Sequence, residues 1–168
     1  NEDSANSAAV TLGLGAVTYG PGGGPDEGSQ TLTYTVTAIP AFVQIFQADG
    51  TTPVLVNDTV TGVELQGLKY KTLADANGTG NLTWTVADNG SPVQTLTENL
   101  AITVNAVNDA PVRTAGTLTP ITVNEDSANS TAATLGLGAV TYGPGGGTDE
   151  SSQTLTYTVT AIPAFVQI

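Results

Sequence analysis

The stretch Gln30-Thr31-Leu32-Thr33-Tyr34-Thr35-Val36-Thr37 decides the fold. Side chains of an extended chain alternate between the two faces of a sheet, so Leu32, Tyr34 and Val36 share one face and the four threonines share the other. That is the pattern of a strand with one buried and one solvated face. The same alternation recurs at Leu82, Trp84 and Val86, and again at Leu100, Ile102 and Val104. Further strands are expected at Val43–Phe46, at residues 60–65 and at residues 68–71, separated by turn-forming pairs such as Asp49-Gly50 and Asn89-Gly90. No segment sustains a helical period. Short strands at this spacing predict an all-β, antiparallel sandwich with Trp84 as its largest core side chain.

The strand belongs to a repeated unit. Residues 1–45 recur as residues 124–168, with differences only at Ala8/Thr131, Val10/Ala133, Pro25/Thr148 and Gly28/Ser151. A match at 41 of 45 positions, offset by 123 residues, means one unit copied in tandem. The expected organisation is a complete repeat over 1–112, with a junction at 105–112, followed by a linker and the first third of the next repeat over 113–168. The chain opens Asn1-Glu2-Asp3, without an initiator Met or a signal segment, and reads as a piece of a longer or processed array.

Composition narrows the chemistry. The 168 residues contain no Cys, His or Met, which leaves no disulfide, no thiolate nucleophile, no Ser-His-Asp relay and no nitrogen-and-sulfur zinc site. Any metal would be bound by oxygen. Lys69, Lys71 and Arg113 stand against fifteen carboxylates, for a net charge of −12, so the chain cannot neutralise a run of phosphates. Nucleic acid and anionic membranes are not expected partners. No apolar run approaches the roughly 18 residues of a membrane span. An acidic, Thr-rich, Lys-poor chain leans toward an extracellular β-protein.

Several motifs dissolve on inspection. The run Tyr19-Gly20-Pro21-Gly22-Gly23-Gly24-Pro25 lacks the Gly-Lys-Ser/Thr ending and the βαβ setting of a phosphate loop, and reads as an exposed loop. Asp75-Ala76-Asn77-Gly78-Thr79-Gly80 starts like an EF-hand, but the twelfth position is Val86 instead of a bidentate Glu. Taken alone it is a polar turn. The acids lie in turns beside Gly, Asn or Ser, not in apolar pockets that would raise a pKa, so catalysis by a carboxylate pair is not expected. Lys69 and Lys71 alternate with Leu68 and Tyr70, which points both to a polar face and away from a buried Lys–Asn cross-link. Sequons at Asn57, Asn77, Asn81, Asn89 and Asn129 permit glycosylation, though a Thr- and Asn-rich composition produces them by chance.

The end of the unit carries a resemblance. Trp84-Thr85-Val86-Ala87-Asp88-Asn89-Gly90-Ser91-Pro92, the strand ending Leu100-Ala101-Ile102-Thr103-Val104, and Asn105-Ala106-Val107-Asn108-Asp109-Ala110-Pro111-Val112 together resemble the last two strands and linker of a cadherin-like repeat. The run VNDAPV followed by ITVNEDS is similar to junctions in the cadherin-like tandem repeats of very large bacterial surface proteins. The resemblance implies a Greek-key, cadherin-like or Ig-like sandwich with Ca2+ held between successive domains. It assigns ligand positions to Glu2 and its copy Glu125, to Asp75 and Asn77, to Asn108 and Asp109 of the linker, to Asp26 and Glu27 with their copies Asp149 and Glu150, and to Asp88. Three departures fall on those positions: Asn77 stands where the family has a carboxylate, Asp26 and Glu27 are adjacent instead of spaced, and the linker is one residue shorter before its proline than in animal cadherins.

Calcium takes six to eight oxygen ligands, and no single stretch here supplies that many, so a site must be assembled from several loops. The bland alternative is that these are solvated turn acids that keep an otherwise uncharged surface soluble. The expected function is a spacer in an adhesive or sheath-like array at the cell surface, partnered by neighbouring repeats and by homotypic assembly, with junctions stiffened by calcium. A self-assembling fibre subunit completed by strand exchange, and a carbohydrate-binding module, are the rival readings.

Overall fold

The computed structural model describes Glu2, residues 8–124 and residues 132–166. Two compact units are present, Asn1–Val107 and Asn108–Ile168. Among the described residues no helix is long and apolar enough to cross a membrane.

The first unit is all-β apart from one short helix, and every strand pair in it is antiparallel. In chain order it contains β1 (Val10–Thr11), β2 (Leu32–Ala38), β3 (Val43–Phe46), β4 (Pro53–Val54), β5 (Thr59–Val60), α1 (Gly62–Gly67), β6 (Lys69–Thr72), β7 (Gly78–Asp88) and β8 (Thr95–Val104). One sheet runs β5-β2-β7-β8 and the other β1-β6-β3-β4. The register puts Tyr34 opposite Val86 and Val36 opposite Trp84, with Leu100 opposite Leu82, so the apolar rows of three strands merge on one face. Those rows meet Val43, Ile45 and Val54 of the other sheet in a single core, where Trp84 is 4% exposed. Burying each such side chain is worth about 1.5–3 kcal/mol. On the opposite face Thr59, Thr35, Thr85 and Thr97 line up across all four strands.

The strand expected over residues 60–65 is corrected: only Val60 is in a strand, and α1 takes over at Gly62. Thr61 accepts the Glu64 N–H through its hydroxyl, while the Glu64 carboxylate accepts the Thr61 N–H at 2.7 Å, which closes a capping box. Leu65 then faces the core and Val63 faces solvent. Lys69 and Lys71 are half-buried on β6, and the Lys71 ammonium lies 5.0 Å from the centre of the Phe46 ring, a cation–π contact.

The second unit contains β9 (Val112–Ala115) paired antiparallel with β10 (Thr141–Gly143), and 3₁₀ turns at Leu137–Ala139 and Asp149–Ser152. Residues 153–166 are identical to 30–43 but form no strand. β2 is held between β5 and β7, and no such partner stands beside residues 153–166 among the described residues.

Candidate functional site

The residues singled out as cation ligands gather at the ends of the two units. β7 and β8 meet at one end through Gly78 opposite Val104, where the absence of a side chain at Gly78 leaves room for the Phe42 ring. Asn77 precedes β7 there and Asn105 follows β8. Glu2 is fixed between them. Its N–H donates to the Asn105 carbonyl at 3.2 Å, Asn77 Nδ2 donates to its Oε2 at 2.8 Å, and the Val107 N–H donates to its Oε1 at 2.7 Å. The residue is 2% exposed. The Asn77 amide first, and the Val107 N–H second, hold the Glu2 carboxyl below its ordinary value by favouring the charged form. An amide at position 77 thus has a local reason: it donates to Glu2 where a carboxylate would repel it. Asp75 is exposed in the preceding turn, with a left-handed φ of 55°.

Asp88 lies at the other end of β7, roughly 34 Å away for an eleven-residue strand. One of its oxygens accepts the Gly90 N–H at 3.0 Å and the Gln94 N–H at 2.9 Å, a turn-closing role, and Asn89 accepts the Thr31 N–H at 2.8 Å. Asp26 is exposed and Glu27 half-buried in the turn that leads into β2, whose first residue Leu32 pairs with Asp88. In the first unit the expected ligands therefore form two groups, Glu2, Asp75 and Asn77 at one end and Asp26, Glu27 and Asp88 at the other.

The second unit presents its own cluster. The Asp109 N–H donates to Glu150 Oε1 at 2.8 Å, and the Gly146 N–H to Asp109 Oδ2 at 3.2 Å. Gln153 Nε2 donates to Asn108 Oδ1 at 3.1 Å, and Asn108 Nδ2 to the Asp109 carbonyl at 3.2 Å. Gly145 makes the approach possible: its φ is +117°, and a side chain there would come within 2.5 Å of Asp109 Cβ. Glu150 is 1% exposed, and its Oε2 is buried without a hydrogen-bond partner. Asp149 is half-buried beside it in the chain. Glu125 lies outside the described residues.

A buried carboxylate oxygen without a donor is costly unless a cation or water meets it. Hard oxygen donors from Glu150, Asp109 and Asn108 suit a hard cation such as calcium, which also accepts carbonyls and water. Among the described residues no group of three or more acidic side chains is gathered closely enough to hold a metal. The carboxylates present would supply only part of a calcium shell.

Two contributors carried no sequence signal as ligands. The Val107 and Gly146 N–H groups are backbone donors, and any residue but proline offers one. The only hint was the glycine run 143–147, which repeats residues 20–24 without change. Away from both ends, a cavity of about 300 Å³ is lined by Val17, Tyr19, Tyr34, Thr61, Val63 and Gln66, among others. Tyr19 and Tyr34 meet edge to face at 5.7 Å, and Trp84 Nε1 donates to the Tyr19 hydroxyl at 3.2 Å. Tyr34 is 9% exposed and offers no open face for stacking a sugar.

Comparison with protein-family models, curated proteins and solved structures finds no match to the chain.

Proposed function

We propose that the chain is a spacer module of an extracellular tandem array, whose repeat ends are stiffened by calcium. The observation that carries this reading concerns Val107 and Asp109, two residues apart in the linker. Each donates its N–H to a buried carboxylate of its own unit, Glu2 in the first and Glu150 in the second. The linker is thereby tied by carboxylates on both sides. Both acids belong to the repeated 45 residues, so the arrangement recurs at every junction of an array.

Glu150, Asp109 and Asn108 would hold the cation in the second unit, with Glu150 Oε2 as the oxygen that needs it. The bound ion would supply positive charge where the chain has only acids. Without it, Glu150 and Asp109 of the second unit have no counter-charge and are held by single hydrogen bonds. Placement at the cell surface follows from the acidic, Thr-rich composition and the resemblance. No catalytic role is proposed.

Chelation tests the reading. Calcium added to chelator-stripped protein should raise the melting temperature, by about 2.7 kcal/mol of added stability at a hundred times the dissociation constant. Small-angle scattering of a two-repeat chain should show a longer maximum dimension with calcium than with chelator. No change in either, with magnesium as control, refutes the metal part.

A further inference from the structure

The chain contains two Asn-Gly pairs, Asn77-Gly78 and Asn89-Gly90. An asparagine followed by glycine can cyclise: the next backbone nitrogen attacks the side-chain carbonyl carbon to close a five-membered ring, and glycine has no β-carbon to obstruct it. The attack needs a group to take the proton from that nitrogen, a donor for the oxygen that becomes negative, and water to open the ring. The two pairs differ in the groups around them.

Asn89-Gly90 lies in the turn between β7 and β8. The Gly90 N–H donates to Asp88 Oδ1 at 3.0 Å, so a carboxylate already holds the proton that must leave. The Thr31 N–H donates to Asn89 Oδ1 at 2.8 Å, which fixes a donor on the oxygen that gains charge. Asn89 is exposed, so water reaches its side chain. A side chain at position 90 would come within 2.8 Å of Gln30 Nε2, which keeps glycine as the attacking residue. At Asn77 the electrostatics are reversed. Asn77 Nδ2 donates to the Glu2 carboxylate at 2.8 Å, and that negative charge opposes a negative oxygen on the same side chain. Asn77 is half-buried, and Gly78 already belongs to β7, opposite Val104.

We propose that Asn89 is a site of self-catalysed deamidation. The Gly90 nitrogen bonds to Asn89 Cγ as its proton passes to the Asp88 carboxylate, and the Thr31 N–H holds the tetrahedral oxyanion. The Cγ–Nδ2 bond then breaks, and Nδ2 leaves as ammonia with the proton from Asp88. Water opens the succinimide ring at either carbonyl and leaves aspartate or isoaspartate at position 89. Both products add one negative charge beside Asp88, at the end of the sandwich where Asp26 and Glu27 also stand. Isoaspartate also lengthens the backbone by one carbon between Asp88 and Gly90 and shortens the side group that serves Thr31. The ammonia is lost for good, so the extent of reaction records the age of the folded chain. Calcium has no part in it.

The test is incubation of the full chain in chelator near neutral pH, followed by tryptic digestion and mass spectrometry. Cleavage after Lys71 and Arg113 yields residues 72–113, which hold both Asn-Gly pairs in one peptide, and fragmentation assigns the amide-to-acid mass gain to position 77 or 89. Asn89 should react on the order of tenfold faster than Asn77, and faster by a similar factor than in a synthetic peptide of residues 85–94, which lacks Thr31. The difference between the two pairs should vanish in urea. Asp88→Asn keeps an oxygen for the Gly90 N–H but removes the negative charge, and should slow Asn89 on the order of tenfold with Trp84 fluorescence unchanged. Asn89 reacting no faster in the folded chain than Asn77, or than the peptide, overturns the proposal. So does a difference that persists in urea, or an Asp88→Asn variant, folded by the same measure, that reacts at the wild-type rate.

Discussion

A 45-residue sequence occurs twice in this molecule, identical at 41 positions, in two environments. In the first unit Tyr34 and Val36 are 9% and 1% exposed, inside a strand between two others. In the second, the identical Tyr157 and Val159 are 70% and 68% exposed and in no strand. The order reverses at the turn. Glu27 is half-buried, and no linker residue bonds it among the described residues, whereas its copy Glu150 is buried against the Asp109 N–H. Alternation therefore encodes a capacity to be a strand, and partner strands realise it. Likewise an acidic turn becomes a candidate cation site only where the linker closes over it.

The largest way to break this comparison is to remove the partner. Trp84→Ala empties the core beneath β2 and should cost about 3–5 kcal/mol in urea denaturation. The first unit should then lose the β-signal in circular dichroism, and its copy of the sequence should come to resemble the second.

Next come the glycines at one repeat position. Gly145→Ala forces a left-handed φ on alanine and drives its methyl into Asp109, for a loss of about 1–3 kcal/mol in the second unit. Gly22→Ala has the same backbone problem, with φ +108°, but meets only the flexible end of Glu27. It should lower the melting temperature of the first unit by less. Equal losses would show that the linker contact adds nothing.

Asn77→Asp sharpens the picture at the other end. A carboxylate facing Glu2 should lower the melting temperature in chelator, and calcium should restore more of it than it adds to the wild type. A variant as stable in chelator as the wild type would mean that the Asn77–Glu2 bond contributes little.

The smallest expected effect is with pH. Asp49 accepts the Thr51 and Thr52 N–H groups and the Thr52 hydroxyl, and its carboxyl is held well below the usual range, by the Thr52 hydroxyl most of all. The capping box lowers Glu64 in the same way, through the Thr61 N–H. A carboxyl lowered on folding stabilises fully above its unfolded value and loses that contribution as pH falls through the folded one. Stability of the first unit should thus be flat above about pH 5 and decline below the ordinary values near 4.5 and 3.8. Asp49→Asn and Glu64→Gln should each flatten part of that decline in acid melting curves.

Much of the first unit was legible because its central strands are half-buried. Leu32, Tyr34 and Val36 alternate with threonines for the physical reason the sequence suggests. Residues 60–65 misled because Val60, Val63 and Leu65 are close enough to pass for a strand, while the decisive signal was polar: Thr61 and Glu64 at capping-box spacing. Strands of two residues, such as β1 and β4, are too short to show a period. At the ends, Glu2, Asn77, Asp109 and Glu150 could be named from the family pattern, but their pairing depends on where Val107 and Gly146 direct their N–H groups. Backbone direction is a product of the fold and has no letter of its own.

Calorimetric titration of calcium into chelator-stripped chain, wild type beside Glu150→Gln, tests the central claim most directly. Saturable calcium binding in the wild type that is lost or at least tenfold weaker in the variant is the result predicted here. No binding to the wild type, or the same isotherm for both proteins, contradicts it.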